Sequence, residues 1–578
     1  MKNQEIAAVF KGIADILEIK GENPFRIRAY RKASQNIENL AEDIAILAQK
    51  GKLYELPGIG KDLAIKIREI LETGTLRFYE DLKNEVPPGL VALLSIPGVG
   101  PRTAKILFER FKVVSIEDLE TLAKEHKLRG LPGIKAKTEE NILKGIGLVK
   151  KGKERIPLGI IRPLAEEILG MLKRRCPIDR ISVAGSVRRQ RETIKDIDIL
   201  ITSSDPTRVM DVFTSLPQAY EIIAKGETKS SIRTKEGIAV DLRVVEPECF
   251  GAALCYFTGS KTHNIRIREL ALRKGLKISE YGIFKGDKRI GGKEEEEVFK
   301  AVGLPYIPPE LREDRGEIEA ALEGKLPRLV EYGDVQGDLH VHSTYSDGKG
   351  TLEDIANKAA QMGLKWVGVC DHSQSLKVAG GVSTEDLRKK VKAIRQFNKK
   401  NTPVKLLCGT EVDIDSRGNL DYPDDILKEL DLVIAAIHTG FKQDEATLTT
   451  RIISAMRNPY VHLIAHPTGR LFGEREPYAL NIETVLNEAA QTHTALEINA
   501  YPKRLDLNDI YSRAAGEKGI FLGIGTDAHI LDQMEYLSLG ISVARRAWLE
   551  SSNLLNCLSY DELIKYLKRR GNFILQKT

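Results

Sequence analysis

The second half of the chain carries the pattern that leaves the fewest folds open. From Gly337 onward, short apolar runs alternate with stretches of helical spacing. The runs lie near 338–342, 366–370, 404–409, 431–437, 461–465, 495–498 and 520–525. Strands separated by helices at this interval pair in parallel, and about seven of them form an α/β barrel. Polar residues gather at the C-terminal ends of the runs, where barrel active sites are built. They are Asp338, His340 and His342, then Asp347, Asp371 and His372, Glu411, His438, His466, and Asp527 with His529. Eight of the ten histidines fall after residue 335. His340 and His342 are two apart and so share a strand face. Imidazole and carboxylate without thiolate suit Zn²⁺, Mn²⁺ or Fe²⁺, ions that generate hydroxide and stabilise phosphoryl charge. His462 and His493 match no such position and read as ordinary barrel residues. Arg417, Lys442 and Arg470 are candidates to hold a phosphate.

The first half has one comparable concentration of chemistry. An apolar strand (Ile181–Ala184) enters the turn Gly185-Ser186-Val187-Arg188-Arg189. A β-branched strand then carries Asp196 and Asp198. Their spacing projects both carboxylates from one face. Like charges held together repel, and Mg²⁺ with its preference for hard oxygen relieves the repulsion. The serine and the arginines upstream suit phosphate, arginine through its bidentate fork. A third acid, Asp241, sits in the alternating strand Ala239–Val245. Three strand carboxylates cradle two metal ions, which activate a 3′-hydroxyl and clamp a triphosphate. Tyr256-Phe257-Thr258-Gly259-Ser260 follows, then Asn264 and Arg268, which share a helix face at i and i+4.

Residues 1 to about 80 read as helices. Phe25–Lys32 interleaves basic and aromatic residues, as a segment tracking a phosphate backbone would. Three related turns follow. Leu56-Pro-Gly58-Ile-Gly60 and Ile96-Pro-Gly98-Val-Gly100 are full copies. Leu131-Pro-Gly133-Ile-Lys135 lacks the second glycine. Each precedes an apolar helical run, the mark of a helix-hairpin-helix. Its turn and helix N–H groups meet DNA phosphate without reading sequence. Lys293–Glu297 reads as a solvated helix face. Prolines 305, 308, 309 and 327 punctuate a charged connection between the halves.

The chain has 578 residues, 42% hydrophobic and 29% charged, as ordinary soluble proteins do. Its +6 charge permits an acidic polymer as partner without demanding one. Six cysteines show no C-x-x-C spacing, which argues against a zinc ribbon or disulfide framework and fits a reducing cytosol. The start lacks an apolar signal core and no run reaches membrane-spanning length. A cytoplasmic protein without membrane contact is expected.

Gly185-Ser186 with Arg189, Asp196-x-Asp198, Asp241 and Tyr256-Phe-Thr-Gly259, behind two hairpins in this order, resemble a family X DNA polymerase over roughly residues 1–315. The resemblance implies Asp196, Asp198 and Asp241 as metal ligands, with Asp241 nearest the primer hydroxyl. It implies Arg155, Ser186 and Arg189 at the triphosphate, and Tyr256, Phe257 and Gly259 against the nucleotide and its sugar. Asn264 would read the minor-groove edge of the base and Arg268 the template side. Gly58, Gly60, Gly98 and Gly100 would meet DNA. Lys66 matches the family's lyase lysine, although Asp62 stands where a basic residue binds 5′-phosphate. Lys195 and Lys261 replace a glycine and an acid near the nucleotide.

The second half resembles the PHP domain, the polymerase and histidinol phosphatase family. All nine positions of its trinuclear site are filled. By resemblance, His340, His342, Glu411 and Asp527 hold one ion. Glu411, bridging, with His438 and His466 hold a second. Asp347, His372 and His529 hold a third.

The expected architecture is multidomain. It comprises a helical DNA-binding or lyase domain (1–80), a helix-hairpin-helix domain (81–150), an α+β nucleotidyltransferase palm (151–255), and a small α/β thumb holding the nascent base pair (256–315). A linker (316–335) and a seven-stranded (β/α) PHP barrel (336–578) complete it. The expected function is short-gap filling in base excision repair on gapped or primer-template DNA. The substrates are dNTPs, the polymerase ion is Mg²⁺ or Mn²⁺, and the protein is a monomer. A PHP nuclease with up to three Zn²⁺ or Mn²⁺ ions would work 3′–5′, with 3′-phosphatase or abasic-site endonuclease activity as variants. Two other classes stay open: a polymerase fused to a small-molecule phosphoesterase, and a DNA-end-binding module with a vestigial polymerase.

Overall fold

The structure is a computed structural model. It describes residues 3–38, 44–49, 51–56, 58–94, 96, 99–131, 134, 138–140, 142–143, 146, 155–400, 402–472 and 475–575. Gly98, Gly133 and Lys135 lie outside the described residues.

The N-terminal region is helical, as its periodicity predicts. Helices Asn3–Lys20, Pro24–Glu38, Lys61–Thr73, Pro101–Phe111 and Ile116–Lys124 bury apolar faces in one core. Phe10, Tyr30, Ile67, Leu107 and Leu119 belong to it, so the two stretches expected as separate domains share a single core. Tyr30 is buried there and Arg31 pairs with Asp15 and Glu18. Of the basic-aromatic segment, Phe25 stays exposed, with Arg28 4.7 Å from its ring centroid.

The next unit is a five-stranded sheet. Its order is Ile178–Val183, Asp196–Ser203, Ala239–Val244, Lys229–Thr234, Ala219–Lys225. The pairing between Asp196–Ser203 and Ala239–Val244 is parallel and the other three are antiparallel. Ile197, Ile199 and Ile201 are fully buried beneath helix Leu158–Arg175, which turns Ile161, Ala165, Ile168 and Leu172 inward at helical spacing. Burying each such side chain contributes roughly 1.5–3 kcal/mol.

Helices Phe250–Thr258, Lys261–Arg273 and Glu295–Val302 then pack with a three-stranded antiparallel sheet. One expectation is corrected here. Glu295 does not lie on a solvated face. It is 5% exposed and bridges Arg188 and Arg312 at 2.6 Å each. The acidic run hides one residue that turns inward, and only the partners, distant in sequence, reveal it. The segment 316–335, expected as a linker, is ordered and packed. It forms helix Glu317–Leu322, with Ile318, Ala321 and Leu329 buried in the same core and Val330 and Val335 in the next.

The seven expected strands of the second half all form, in chain order and all parallel. A parallel bridge between Val341 and Ala528 brings the first strand to the end of the last, so the barrel nearly closes. The Lys405–Asp413 strand runs past the expected end and carries Glu411 within it. The five-stranded sheet and the barrel share one apolar cluster. Their approach is close at Gly159, where a Cβ would lie 2.7 Å from Leu539 Cδ1 and 2.8 Å from Pro502 Cβ.

Candidate active sites

The parallel register sets Asp198 beside Asp241 on neighbouring strands, with Asp196 two residues before Asp198. All three carboxylates therefore leave one face of the sheet. Ser231 Oγ donates to Asp241 Oδ1 at 2.6 Å and fixes its orientation. Burial, with Asp196 and Asp241 nearby, pushes Asp198 up to about 7. Three carboxylates this close are not all ionised without a counter-ion. That is the condition a divalent cation relieves.

The turn at 185–189 folds as the short helix Gly185–Arg188. Gly185 has φ 59°, and a Cβ there would fall 2.3 Å from Asp198 Oδ2. Only glycine lets the turn lie against the acids. The Ser186 hydroxyl beside it is buried and has no hydrogen-bond partner among the described residues. Such an orphan fits a ligand. Arg155 donates to Thr193 Oγ1 at 2.9 Å and to the Thr193 carbonyl. Arg189 is not free: its Nε donates to Glu313 at 3.0 Å and its Nη1 to the Thr258 carbonyl. Gly259 has φ 71°, and a Cβ there would sit 3.1 Å from Arg189 Nη1. Tyr256 and Phe257 meet edge-on at 5.0 Å. Asn264 donates to the Tyr256 carbonyl at 2.7 Å, and Arg268 Nε to the Asn264 carbonyl at 3.2 Å. The pair expected to probe a base edge is thus partly engaged with backbone.

In the barrel, the nine residues expected as ligands converge. His342, Asp347, His372 and His529 form one group with donor atoms within 4.8 Å of each other. His340, His342 and Asp527 form a second, and His372, Glu411 and His438 a third. His466 Nε2 adds to the last, 2.9 Å from Glu411 Oε1. His342 and His372 thus stand at junctions where the sequence reading gave each to a single ion. His340 Nε2 and His342 Nε2 face each other at 3.1 Å. His342 Nδ1 is buried without a hydrogen-bond partner among the described residues, and His372 Nδ1 faces Glu411 Oε2 at 2.8 Å. Nitrogen and carboxylate lone pairs aimed at shared points fit transition-metal ions. Burial and the nearby imidazoles or Arg504 hold His342 and His466 down at about 4, in the neutral form a ligand needs. Two of the positions expected as ligands have positive φ, His466 at 28° and Asp527 at 54°, strain that collects at functional sites.

The sequence reading missed the supporting residues. Glu497 receives His340 Nδ1 at 2.7 Å and the His466 backbone N–H at 2.7 Å. Asp413 sits 3.2 Å from His438 Nδ1. Asn499 donates to Asp527 at 3.2 Å. Glu411/Asp413 and Glu497/Asn499 repeat the two-residue spacing of His340/His342, which was the available signal. Asp371 pairs with buried Lys390 and accepts from Ser343, so it braces the ligand loop. Arg470, a candidate to hold phosphate, is engaged with the Arg504 and Leu505 carbonyls and with Glu192. His462 is buried, its Nδ1 accepting from Val433 N–H at 3.0 Å.

In the N-terminal region the turns repeat one bond. Ile59 N–H reaches the Leu56 carbonyl, Val99 that of Ile96 and Ile134 that of Leu131, at 3.1, 3.0 and 3.0 Å. The third copy therefore keeps the turn without its second glycine. Gly60 and Gly100 cap helices Lys61–Thr73 and Pro101–Phe111, and a Cβ on either would meet nothing within 4 Å. Gly58 has φ 78°. Lys66 Nζ pairs with Asp62 at 2.6 Å and lies 5.4 Å from the Phe78 ring centroid.

Comparison with known proteins follows the same division. Helix-hairpin-helix profiles match residues 1–76 and 90–147, the DNA polymerase beta thumb 253–313, and the PHP domain 338–524. The chain is 39% identical to the DNA polymerase/3′-5′ exonuclease PolX of Bacillus subtilis, over 98% of this chain and 100% of that protein. A probable phosphatase of Thermoanaerobacter is 30% identical over 40% of this chain and 94% of its own length. Rat DNA polymerase lambda is 27% identical over 54% of this chain and 56% of its own.

Proposed function

The chain belongs to the family X DNA polymerase/3′-5′ exonucleases that carry a PHP domain, and we propose that it fills short gaps during base excision repair and trims the 3′ ends it cannot extend. The observation that carries this is the presence of two complete donor sets in one chain, the carboxylate trio of the sheet and the nine-residue cluster of the barrel.

At the polymerase site, Asp196, Asp198 and Asp241 would hold Mg²⁺ or Mn²⁺, which would activate the 3′-hydroxyl and neutralise triphosphate charge. Asp241, oriented by Ser231, is placed to receive the proton of the primer hydroxyl. Arg155, Ser186 and Arg189 bind the triphosphate. Tyr256, Phe257 and Gly259 lie against the sugar. Asn264 and Arg268 face the base pair. Gly58, Gly60, Gly98 and Gly100 admit the DNA backbone; the empty space around Gly60 and Gly100 supports this, because packing does not require glycine there. Lys66 is the candidate lyase nucleophile, with its ion pair to Asp62 opposing the role.

At the barrel, His340, His342, Asp347, His372, Glu411, His438, His466, Asp527 and His529 would hold up to three Zn²⁺ or Mn²⁺ ions, which would supply hydroxide and stabilise phosphoryl charge. Glu497 and Asp413 orient His340 and His438. The likeness of this half to a probable phosphatase favours 3′-phosphatase activity as a second reaction there. The protein would act as a cytoplasmic monomer, and no helix among the described residues is long and apolar enough to cross a membrane.

One experiment tests the whole reading: gap filling and 3′-end digestion measured together on a one-nucleotide gap, with and without dNTPs. Extension with dNTPs and shortening without them are expected. No incorporation with either Mg²⁺ or Mn²⁺ would overturn it.

A further inference from the structure

Arg546 ends the barrel helix Leu537–Arg546 and is 4% exposed. Its Nη1 donates to the backbone carbonyl of Arg189 at 2.8 Å and to Glu313 Oε1 at 3.0 Å. The same Glu313 oxygen accepts from Arg189 Nε at 3.0 Å. Arg546 Nη2 is anchored at 2.7 Å by Asp509, in the barrel helix Asp509–Glu517. A single barrel side chain therefore grips Arg189 twice, directly at its main chain and through Glu313 at its guanidinium.

We infer that Arg546 is a positioning residue for nucleotide addition, fixing the triphosphate-binding arginine of the polymerase from the nuclease barrel. This rests on the reading of Arg189 given above. Arg189 has a rotamer-rich side chain, and an unfixed guanidinium must be ordered by the nucleotide at a cost in affinity. Here Glu313 holds Nε and the Thr258 carbonyl holds Nη1, which fixes the plane of the guanidinium before any ligand arrives. Among the described residues, the Glu313 side chain is fixed by arginines: Arg189, Arg546, and Arg191 at 3.5 Å. Of these, Arg546 alone is braced from the barrel, by Asp509, whose Oδ2 also accepts from Arg315 at 3.0 Å. Without Arg546, Glu313 follows Arg189 instead of directing it.

The test is steady-state gap filling by the full chain carrying Arg546→Lys, which keeps the charge opposite Asp509 but cannot span three acceptors. The expected result is a KM for dNTP raised roughly tenfold, the scale of a lost charge-assisted bond. The value of kcat and the KM for gapped DNA should stay within about twofold. Inorganic tripolyphosphate, used as a competitor, should lose affinity by the same factor. Nuclease activity reports that the barrel remains folded. An unchanged KM for dNTP overturns the inference. So does a joint fall of kcat, DNA affinity and nuclease activity, which would mark a merely structural contact. Should Arg546→Lys not fold, Glu313→Gln carries the same expectation. Arg189→Gln separates the two levels. If it leaves the dNTP KM unchanged, the reading of Arg189 falls and takes this inference with it. If it raises the KM, adding Arg546→Lys should cost nothing more, because both act through one guanidinium; full additivity overturns the positioning role.

Discussion

The two sites solve the same problem, divalent chemistry on a phosphodiester, with opposite economies of ligands. The sheet offers three carboxylates on two neighbouring strands, one of them pushed up to about 7 by burial and by the other two. The barrel offers nine donors, and Glu497 and Asp413 hold two of its histidines in place. Three acids alone would leave a divalent ion to take further oxygen from the phosphates and the primer. The barrel gathers its donor atoms in three groups, each within 4.8 Å. The difference implies a first site that its substrate would complete and a second whose donors stand together before any substrate arrives.

The largest expected effect separates the two outright. Asp198→Ala should lower nucleotide addition by at least 10³-fold and leave 3′-end digestion intact, while His342→Ala does the reverse. Both activities are read on one gapped substrate. Loss of both in either folded variant would mean that the sites are not independent. Metal removal comes next. Dialysis against metal-free buffer should abolish nucleotide addition, and adding Mg²⁺ or Mn²⁺ should restore it at once. The nuclease should survive the same dialysis and fall only to a strong chelator, with metal analysis finding the retained ions. Equal loss from both sites on dialysis would erase the contrast.

How much of this was legible follows from where the information lies. Period-two spacing disclosed Asp196/Asp198 and His340/His342, because a strand writes its faces locally. The seven barrel strands were legible for a different reason: they are continuous apolar runs, buried on both faces, that alternate with helical stretches. Glu497 and Asp413 repeat that spacing but bind histidines rather than sitting at recognisable motif positions, so their role emerges only when the barrel brings strands together. Glu295 was read as solvated because its neighbours Glu294 and Glu296 are; its partners Arg188 and Arg312 lie 107 residues before it and 17 after. Arg470 looked like a phosphate ligand from its place after a strand. The fold spends it on backbone carbonyls and on Glu192, in the turn before Thr193–Ile194. Contacts between domains were invisible throughout, since nothing in the local pattern of the 316–335 segment or of Arg546 marks what they touch.

A smaller effect sharpens the comparison by asking whether both sites use the same grip on DNA. Gly100→Ala should leave the fold unchanged, because a Cβ there meets nothing and φ is −86°. It should weaken binding to gapped DNA about threefold to tenfold by crowding a phosphate that faces the helix N–H groups. Titrations at several salt concentrations measure the effect. If the KM for DNA rises in gap filling alone, the hairpins serve only the polymerase. If it rises for digestion too, the two sites share one bound duplex.

The smallest expected effect concerns how the two halves come apart in acid. Burial would raise Glu295, but Arg312 and Arg188 overrule it and hold it down at about 2. An unfolded glutamate titrates near 4.3. A carboxylate depressed in the folded state lends its full stabilisation above the unfolded pKa and loses it as pH falls toward the folded one. The window is therefore about pH 4.5 down to 2, with at most about 3 kcal/mol at stake. The thumb, whose helix Glu295–Val302 this residue opens, should loosen across that window. Hydrogen exchange in peptides from 250–322 should show it, with Glu295→Gln already loosened at neutral pH and nearly flat below it. Removing the carboxylate leaves the buried Arg312 and the partly buried Arg188 without their counter-ion, so the variant is expected to lose more than breaking the exposed Arg266–Glu319 pair would. A variant as protected as the parent at pH 7 would mean that the triad directs the thumb's packing without stabilising it.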